Sequence, residues 1–187
     1  MMQVVISCMD YRLTQEVINK SKKDSLIIRN AGANIFEIKD ILKKLNPEEV
    51  VYLPHTDCAA MKLTYSVIKN HEGVTQLIND KLISIFKDKN FSTLKELEEI
   101  NAKVNEDLLK EILPKAKITT ELVDVNKIKW PERKARVYVL KSNTKYDEEM
   151  IGSYIIQSPE FEVILADLEI ANKLGLRIEK NEFDTKF

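Results

Sequence analysis

Val50-Val51-Tyr52-Leu53, followed by Pro54 and then His55-Thr56-Asp57-Cys58-Ala59-Ala60, reads as a short strand that delivers a histidine and a cysteine to its carboxyl end before a helix departs. Valine, tyrosine and leucine in so short a run favour a pleated strand over a helix. The helix is predicted over Ala59 to Asn70. Two upstream segments have the same form. Val4 to Ser7 is a predicted strand leading into Cys8-Met9-Asp10-Tyr11-Arg12, and a helix is predicted over Arg12 to Lys23, with Leu13, Val17 and Ile18 toward the core. Ser25 to Arg29 is a predicted strand, after which Asn30-Ala31-Gly32-Ala33-Asn34 turns the chain. Ile35, Ile38, Ile41, Leu42 and Leu45 then recur at helical spacing, and the helix should stop before Pro47. This alternation predicts an α/β fold, a single domain with a mainly parallel central β-sheet flanked by helices.

Downstream, helices are predicted over Val74 to Lys87 and over Ser92 to Leu113, the latter opening on an approximate capping box of Ser92 with Lys95-Glu96. Strands are predicted at Ile118 to Val125 and Ala135 to Leu140, separated by a polar loop holding Trp130-Pro131. Glu160 to Leu174 reads as a helix, Gly175 as its C-cap and Leu176 to Ile178 as a further strand. With 187 residues and no repeat or linker, residues 1–187 are expected to form one domain.

Composition narrows the function classes. A chain that is 44% hydrophobic and 32% charged, with a formal net charge of -1, is soluble and globular in type and has no basic excess that would imply nucleic acid. Its apolar runs are a few residues long, against the roughly 20 that a membrane-spanning helix needs, so no membrane is expected as a partner. The first residues enter a strand directly, without the pattern of a secretory signal, and a cytoplasmic location is the default expectation.

Two cysteines and two histidines occur: Cys8, Cys58, His55 and His71. In an open parallel sheet, loops at the carboxyl ends of neighbouring strands meet at a topological switch point, so Cys8 can approach His55 and Cys58 across the intervening chain. Two thiolates and one imidazole are three of the four ligands that tetrahedral zinc prefers, leaving one position for water or substrate. Bound zinc lowers the pKa of its water to about 7. Two alternatives stay open on spacing alone: Cys8 as an ordinary buried thiol, and Cys8 with Cys58 as a redox pair. Asp10 and Arg12, two residues apart on a turning segment, can pair beside Cys8, the arginine holding the carboxylate away from the metal. Asp57 reads as a helix N-cap and Gly32 as a left-handed turn. His71 lies past the ligand segment and takes no role.

Cys8-x-Asp10-x-Arg12, Arg29-Asn30-Ala31-Gly32 and His55-Thr56-Asp57-Cys58 together resemble the three-part signature of the β-class carbonic anhydrases, in order and at similar separations. The resemblance covers roughly the first 65 residues closely. It implies a parallel α/β fold, usually assembled as a homodimer or higher homo-oligomer, with Zn2+ held by Cys8, His55 and Cys58. It implies reversible hydration of carbon dioxide to bicarbonate, with Asp10 and Arg12 as the catalytic dyad and Gly32 in the loop lining the substrate pocket. Glycine commonly follows the second cysteine in the family, whereas Ala59 stands here. Alanine also follows Gly32, where glycine or asparagine is usual. Cys8 lies close to the start, so the N-terminal arm that wraps a partner subunit is expected to be missing. The part after about Lys141 has no obvious counterpart in short members and is expected either to replace that arm or to cover the site. Two rival readings remain on the same fold: a carbon disulfide or carbonyl sulfide hydrolase, and a zinc-binding, catalytically silent relative.

Overall fold

The computed structural model describes residues 2–183, so Met1 and residues 184–187 of the domain expected over 1–187 lie outside the described residues. β1 (Gln3–Cys8), β2 (Leu26–Asn30) and β3 (Glu49–Leu53) are the three short strands that the β-branched runs predict. With β4 (Lys117–Thr120), β5 (Arg136–Lys141), β6 (Tyr154–Ser158) and β7 (Arg177–Asn181) they form one sheet in the order β4-β3-β1-β2-β6-β5-β7. Every neighbouring pair is parallel except β2 with β6.

Side-chain alternation sends the strands' residues to opposite faces. Val5, Ile27, Val51 and Leu53 pack with Leu13, Val17 and Met61 on one side. Val4, Ile6, Ile28, Val50 and Tyr52 pack with Ile35, Ile38, Leu42 and Leu109 on the other. The helices are α1 (Thr14–Lys20), α2 (Ile35–Leu45), α3 (Ala59–Asn70), α4 (Gln76–Lys81), α5 (Leu94–Ile112) and α6 (Leu165–Lys173). None is long and apolar enough to cross a membrane.

Several boundaries differ from the sequence reading. Residues 11–13 form a 3-10 turn, and α1 stops at Lys20, not Lys23, where Ser21 turns extended and its Oγ donates to the Val17 carbonyl at 2.6 Å. The segment expected as one helix from Val74 to Lys87 is α4 followed by a 3-10 turn at Ile83–Ile85, because the chain bends at Leu82 to bury Leu82, Ile83 and Phe86. The capping pair of α5 is Thr93 with Glu96, one residue on from Ser92: Thr93 Oγ1 accepts from the Glu96 amide at 3.1 Å. The strand expected over Ile118 to Val125 ends at Thr120, and only Val123 regains a bridge, to His55. β6 was not predicted at all; its Tyr154-Ile155-Ile156 core is fully enclosed between β2 and β5.

Candidate metal centre

β1 lies between β2 and β3, so the chain leaves its carboxyl end toward one neighbour and returns on the other side. That is the switch point of an open α/β sheet, where loops from adjacent strands leave a crevice. Cys8 is the last residue of β1, His55 lies two residues beyond β3, and Cys58 is the N-cap of α3. The two sulfurs and a ring nitrogen of His55 all lie within 4.8 Å of one another, and all three residues are buried. His55 Nδ1 is 2.6 Å from the Thr56 carbonyl, which places the ring proton on Nδ1. Nε2 is then buried on the other side of the ring, and among the described residues it has no partner at ordinary hydrogen-bond geometry, the Cys8 sulfur being the group the ring interacts with. A buried polar atom without an ordinary hydrogen bond costs about 1–3 kcal/mol, so a nitrogen held this way fits a ligand position.

Electrostatics agree with that chemistry. A hydrogen bond from Cys58 holds the Cys8 thiol well below its usual range despite burial, with His55 adding to the effect. The same hydrogen bond, together with burial, pushes Cys58 well up, so the two sulfurs share one proton. Burial depresses His55, but the charge of Cys8, a side-chain hydrogen bond with it and the charge of Asp10 outweigh burial and the net shift is upward, so an ion bound here would have to displace a proton from the cluster. Two sulfurs and one imidazole are a donor set for a tetrahedral metal ion with one position left open.

Asp10 and Arg12 sit beside the cluster as a buried pair. Asp10 Oδ1 accepts from the Arg12 amide at 2.8 Å, capping the 3-10 turn, and Arg12 Nη2 donates to Oδ2 at 2.7 Å. Burial alone would raise the Asp10 carboxyl, yet these bonds and the His55 charge hold it below the usual range. Arg12 also donates to Asp57 Oδ2 at 2.9 Å and to the Asp57 carbonyl at 2.8 Å, and its guanidinium lies 4.8 Å from the Trp130 ring centroid. Asp57 is therefore not the expected N-cap. It occupies a left-handed position, φ 55°, and its carboxylate joins Arg12 to Lys62, while Cys58 is the cap and its amide donates to buried Glu98 at 2.8 Å.

The sequence model of a family described as carbonic anhydrase matches residues 3–138, which contain the three potential ligands. The chain belongs to the β-carbonic anhydrase family. Among solved structures, the chain is similar to a tetrameric β-carbonic anhydrase from Sordaria macrospora, with 12% identity, a TM-score of 0.50 and coverage of 66% of this chain and 76% of that one. It is also similar to a carbonic anhydrase from Glaciozyma antarctica (23% identity, TM-score 0.44, 67% and 77% covered) and to one from Streptococcus mutans (23%, 0.43, 67% and 76%). No curated protein matches the sequence.

In this family member the second loop, Arg29-Asn30-Ala31-Gly32, is clamped from several elements. Arg29 is fully buried and donates to the Cys8 carbonyl at 3.0 Å, the Asp10 carbonyl at 2.7 Å and Thr14 Oγ1 at 2.9 Å. Gly32 adopts φ 81°, and a Cβ there would stand 3.3 Å from the Ala60 Cβ. Its carbonyl accepts from Asn101 of α5 at 3.0 Å.

Asp167 of α6 reaches the same loop. Its Oδ1 accepts from the Ala31 amide at 2.8 Å, while Oδ2 has no ordinary donor and faces the carboxyl of Glu37. Burial raises Asp167 to about 6 and Glu37 well above its usual range, so the two carboxyls share a proton near neutrality. A carboxyl that binds its proton more tightly folded than unfolded contributes stability fully only below the unfolded pKa of about 3.9, and that contribution is lost as pH rises through about 6. The shift corresponds to about 3 kcal/mol. Asp167→Asn keeps an acceptor for Ala31 and supplies a donor to Glu37. Urea melts should show this variant gaining about 1–3 kcal/mol over the wild type as pH rises from 5 to 8. A difference that stays constant with pH would contradict the shared proton.

Beside Cys8 and Asp10 lies a small cavity of about 10 Å3, lined also by Met9, Ala31, Ala59 and Ala60. Its remaining wall is Tyr154 of β6 with Ile170 and Leu174 at α6, all beyond residue 138. The C-terminal part thus contributes to the wall of this cavity. Glu98, Asp167 and these three wall residues were not singled out from sequence. A run of polar residues at core-facing positions of α5, Glu98 with Asn101 and Asn105, and an aspartate among the core positions of α6 were the available signals.

Proposed function

We propose that this β-carbonic anhydrase is a zinc enzyme that hydrates carbon dioxide reversibly to bicarbonate. The observation that carries the reading is the buried grouping of one His55 ring nitrogen with the sulfurs of Cys8 and Cys58, all within 4.8 Å of one another. Cys8, His55 and Cys58 would hold the ion, a soft donor set that suits zinc. When bound, zinc supplies the Lewis acidity that makes water nucleophilic near neutral pH.

The chain's own groups then have separate tasks. Asp10, ionised at neutral pH, accepts a hydrogen bond from the attacking water and so turns a lone pair toward carbon. Arg12 is a positioning residue: it occupies both carboxylate oxygens and keeps Asp10 from turning onto the metal. Met9, Ala31 and Ala59 offer an apolar surface suited to a small uncharged substrate, and Gly32 shapes that surface from behind by letting the loop close on Ala60. A cytoplasmic setting would keep the two thiols reduced, and a homodimer or larger homo-oligomer is the assembly in which we place the enzyme.

Asp10→Asn tests the reading. The variant should retain its zinc and lose about 100-fold in the turnover number for hydration, since an amide cannot accept and orient equally at both positions. Unchanged turnover in a zinc-loaded variant would contradict the assignment.

A further inference from the structure

Three residues line both the small cavity beside the ligands and a larger cleft at the surface. On the inner side lies the cavity of about 10 Å3 bounded by Cys8, Asp10 and Ala31. On the outer side a cleft of about 290 Å3 runs between α3 and α6, with Lys62, Ser66 and Lys173 on its walls. Ala59, Ile170 and Leu174 line both spaces. The inner cavity has room for about one water molecule. A triatomic substrate together with the water that attacks it needs more, so the cavity must join a larger space during turnover. On the dyad side Arg12 is covered by Trp130, whereas the cleft is a single layer of side chains away.

Of the three partition residues, Ala59 has only a methyl group, and Ile170 is buried within α6. Leu174 is half-buried and forms the C-cap, next to Gly175, which has φ 77° and open space around it. Asp167 holds the other end of α6 to the Ala31 amide. Rotation of the Leu174 side chain can therefore open the partition without displacing the helix.

We propose that the α3–α6 cleft is the substrate entrance and that Leu174 is its gate, a specificity-determining residue supplied by the C-terminal part of the chain. The identity of the substrate rests on the carbon dioxide reading above; the route itself does not.

Two measurements test it. In zinc-free, reduced protein, iodoacetamide must reach Cys8 through the entrance. Leu174→Ala should speed alkylation about tenfold and Leu174→Phe should slow it by a similar factor. Leu45→Ala, a half-buried leucine at the end of α2, controls for general destabilisation and should leave the rate within about twofold. In zinc-loaded protein, kcat/KM for carbon dioxide should move in the same order. Equal alkylation rates in wild type and both Leu174 variants, or equal acceleration by Leu45→Ala and Leu174→Ala, would overturn the gate. If alkylation follows residue 174 while zinc-loaded wild type hydrates no carbon dioxide, the gate stands and the substrate reading fails.

Discussion

His55→Ala is expected to reduce bound zinc from one ion per chain to below about a tenth, and hydration at least about a thousandfold, because a two-sulfur remnant cannot complete a tetrahedral site. The physical argument is that His55 is aimed at the sulfurs. Its ring is oriented by the Thr56 carbonyl, and the opposite nitrogen is buried with no partner at ordinary hydrogen-bond geometry among the described residues and with the Cys8 sulfur as the group it interacts with. The same fact predicts what happens to the fold. Removing the ring opens a cavity, which costs about 2–4 kcal/mol, but it also removes a buried nitrogen whose only partner is a sulfur, which offsets part of that cost. Zinc-free wild type and variant should therefore melt within a few degrees of each other, while the zinc-loaded wild type melts well above both. Elemental analysis and thermal melts with and without chelator check both parts. A variant that binds zinc at full stoichiometry would exclude His55 as a ligand.

The largest effect on stability is expected at Arg29. Its guanidinium satisfies the carbonyls of Cys8 and Asp10 and the Thr14 hydroxyl through a rigid fork in a fully buried position. Arg29→Met has similar length but removes the buried charged donors, leaving the Asp10 carbonyl only its bond from the Leu13 amide and the Cys8 carbonyl only the longer one from Ser7 Oγ, at a cost of about 3–5 kcal/mol. For a chain of this size that lowers Tm by about 10 °C. Because the two carbonyls flank the Cys8–Asp10 turn, zinc affinity should fall about 10- to 100-fold even in the folded fraction. Denaturant melts and zinc competition titrations report the two effects separately. A loss below about 1 kcal/mol would show that the clamp is dispensable.

The parts of the fold that were legible in the sequence are those written in local pattern. β1, β2 and β3 are short runs of apolar, largely β-branched residues, and α2 repeats its isoleucines and leucines on one face. His55 and Cys58 were legible as potential ligands because they directly follow such a run, and Cys8 because it ends another. What was missed depends on distant partners. β6 shows only Tyr154-Ile155-Ile156 between polar neighbours, and it becomes a strand by pairing with β5 and, in the opposite sense, with β2. Asp167 meets Ala31 across 136 residues, and Glu98 meets Cys58 across 40. Asp57 looked like a cap because it precedes a helix, but the pull of Arg12 and Lys62 turns its carboxylate away and leaves Cys58 at the cap position. Tertiary charge pairing overrode a local preference in that case.

The wall that β6 and α6 contribute also changes what the first 138 residues alone would suggest. Ala59, Ile170 and Leu174 together reduce the space beside the ligands to the size of one water. Under the proposed entrance, such a pocket would discriminate by size and polarity, and the C-terminal part would take part in that selection in addition to extending the sheet.

The most direct test of the central claim is metal analysis joined to stopped-flow carbon dioxide hydration on one sample of purified, reduced wild-type protein. One zinc per chain with rapid hydration is the predicted result. One zinc per chain with no hydration above a zinc-free control would contradict the carbon dioxide assignment and direct the same assay to carbonyl sulfide and carbon disulfide; no zinc, with a reversible Cys8–Cys58 disulfide, would contradict the metal site itself.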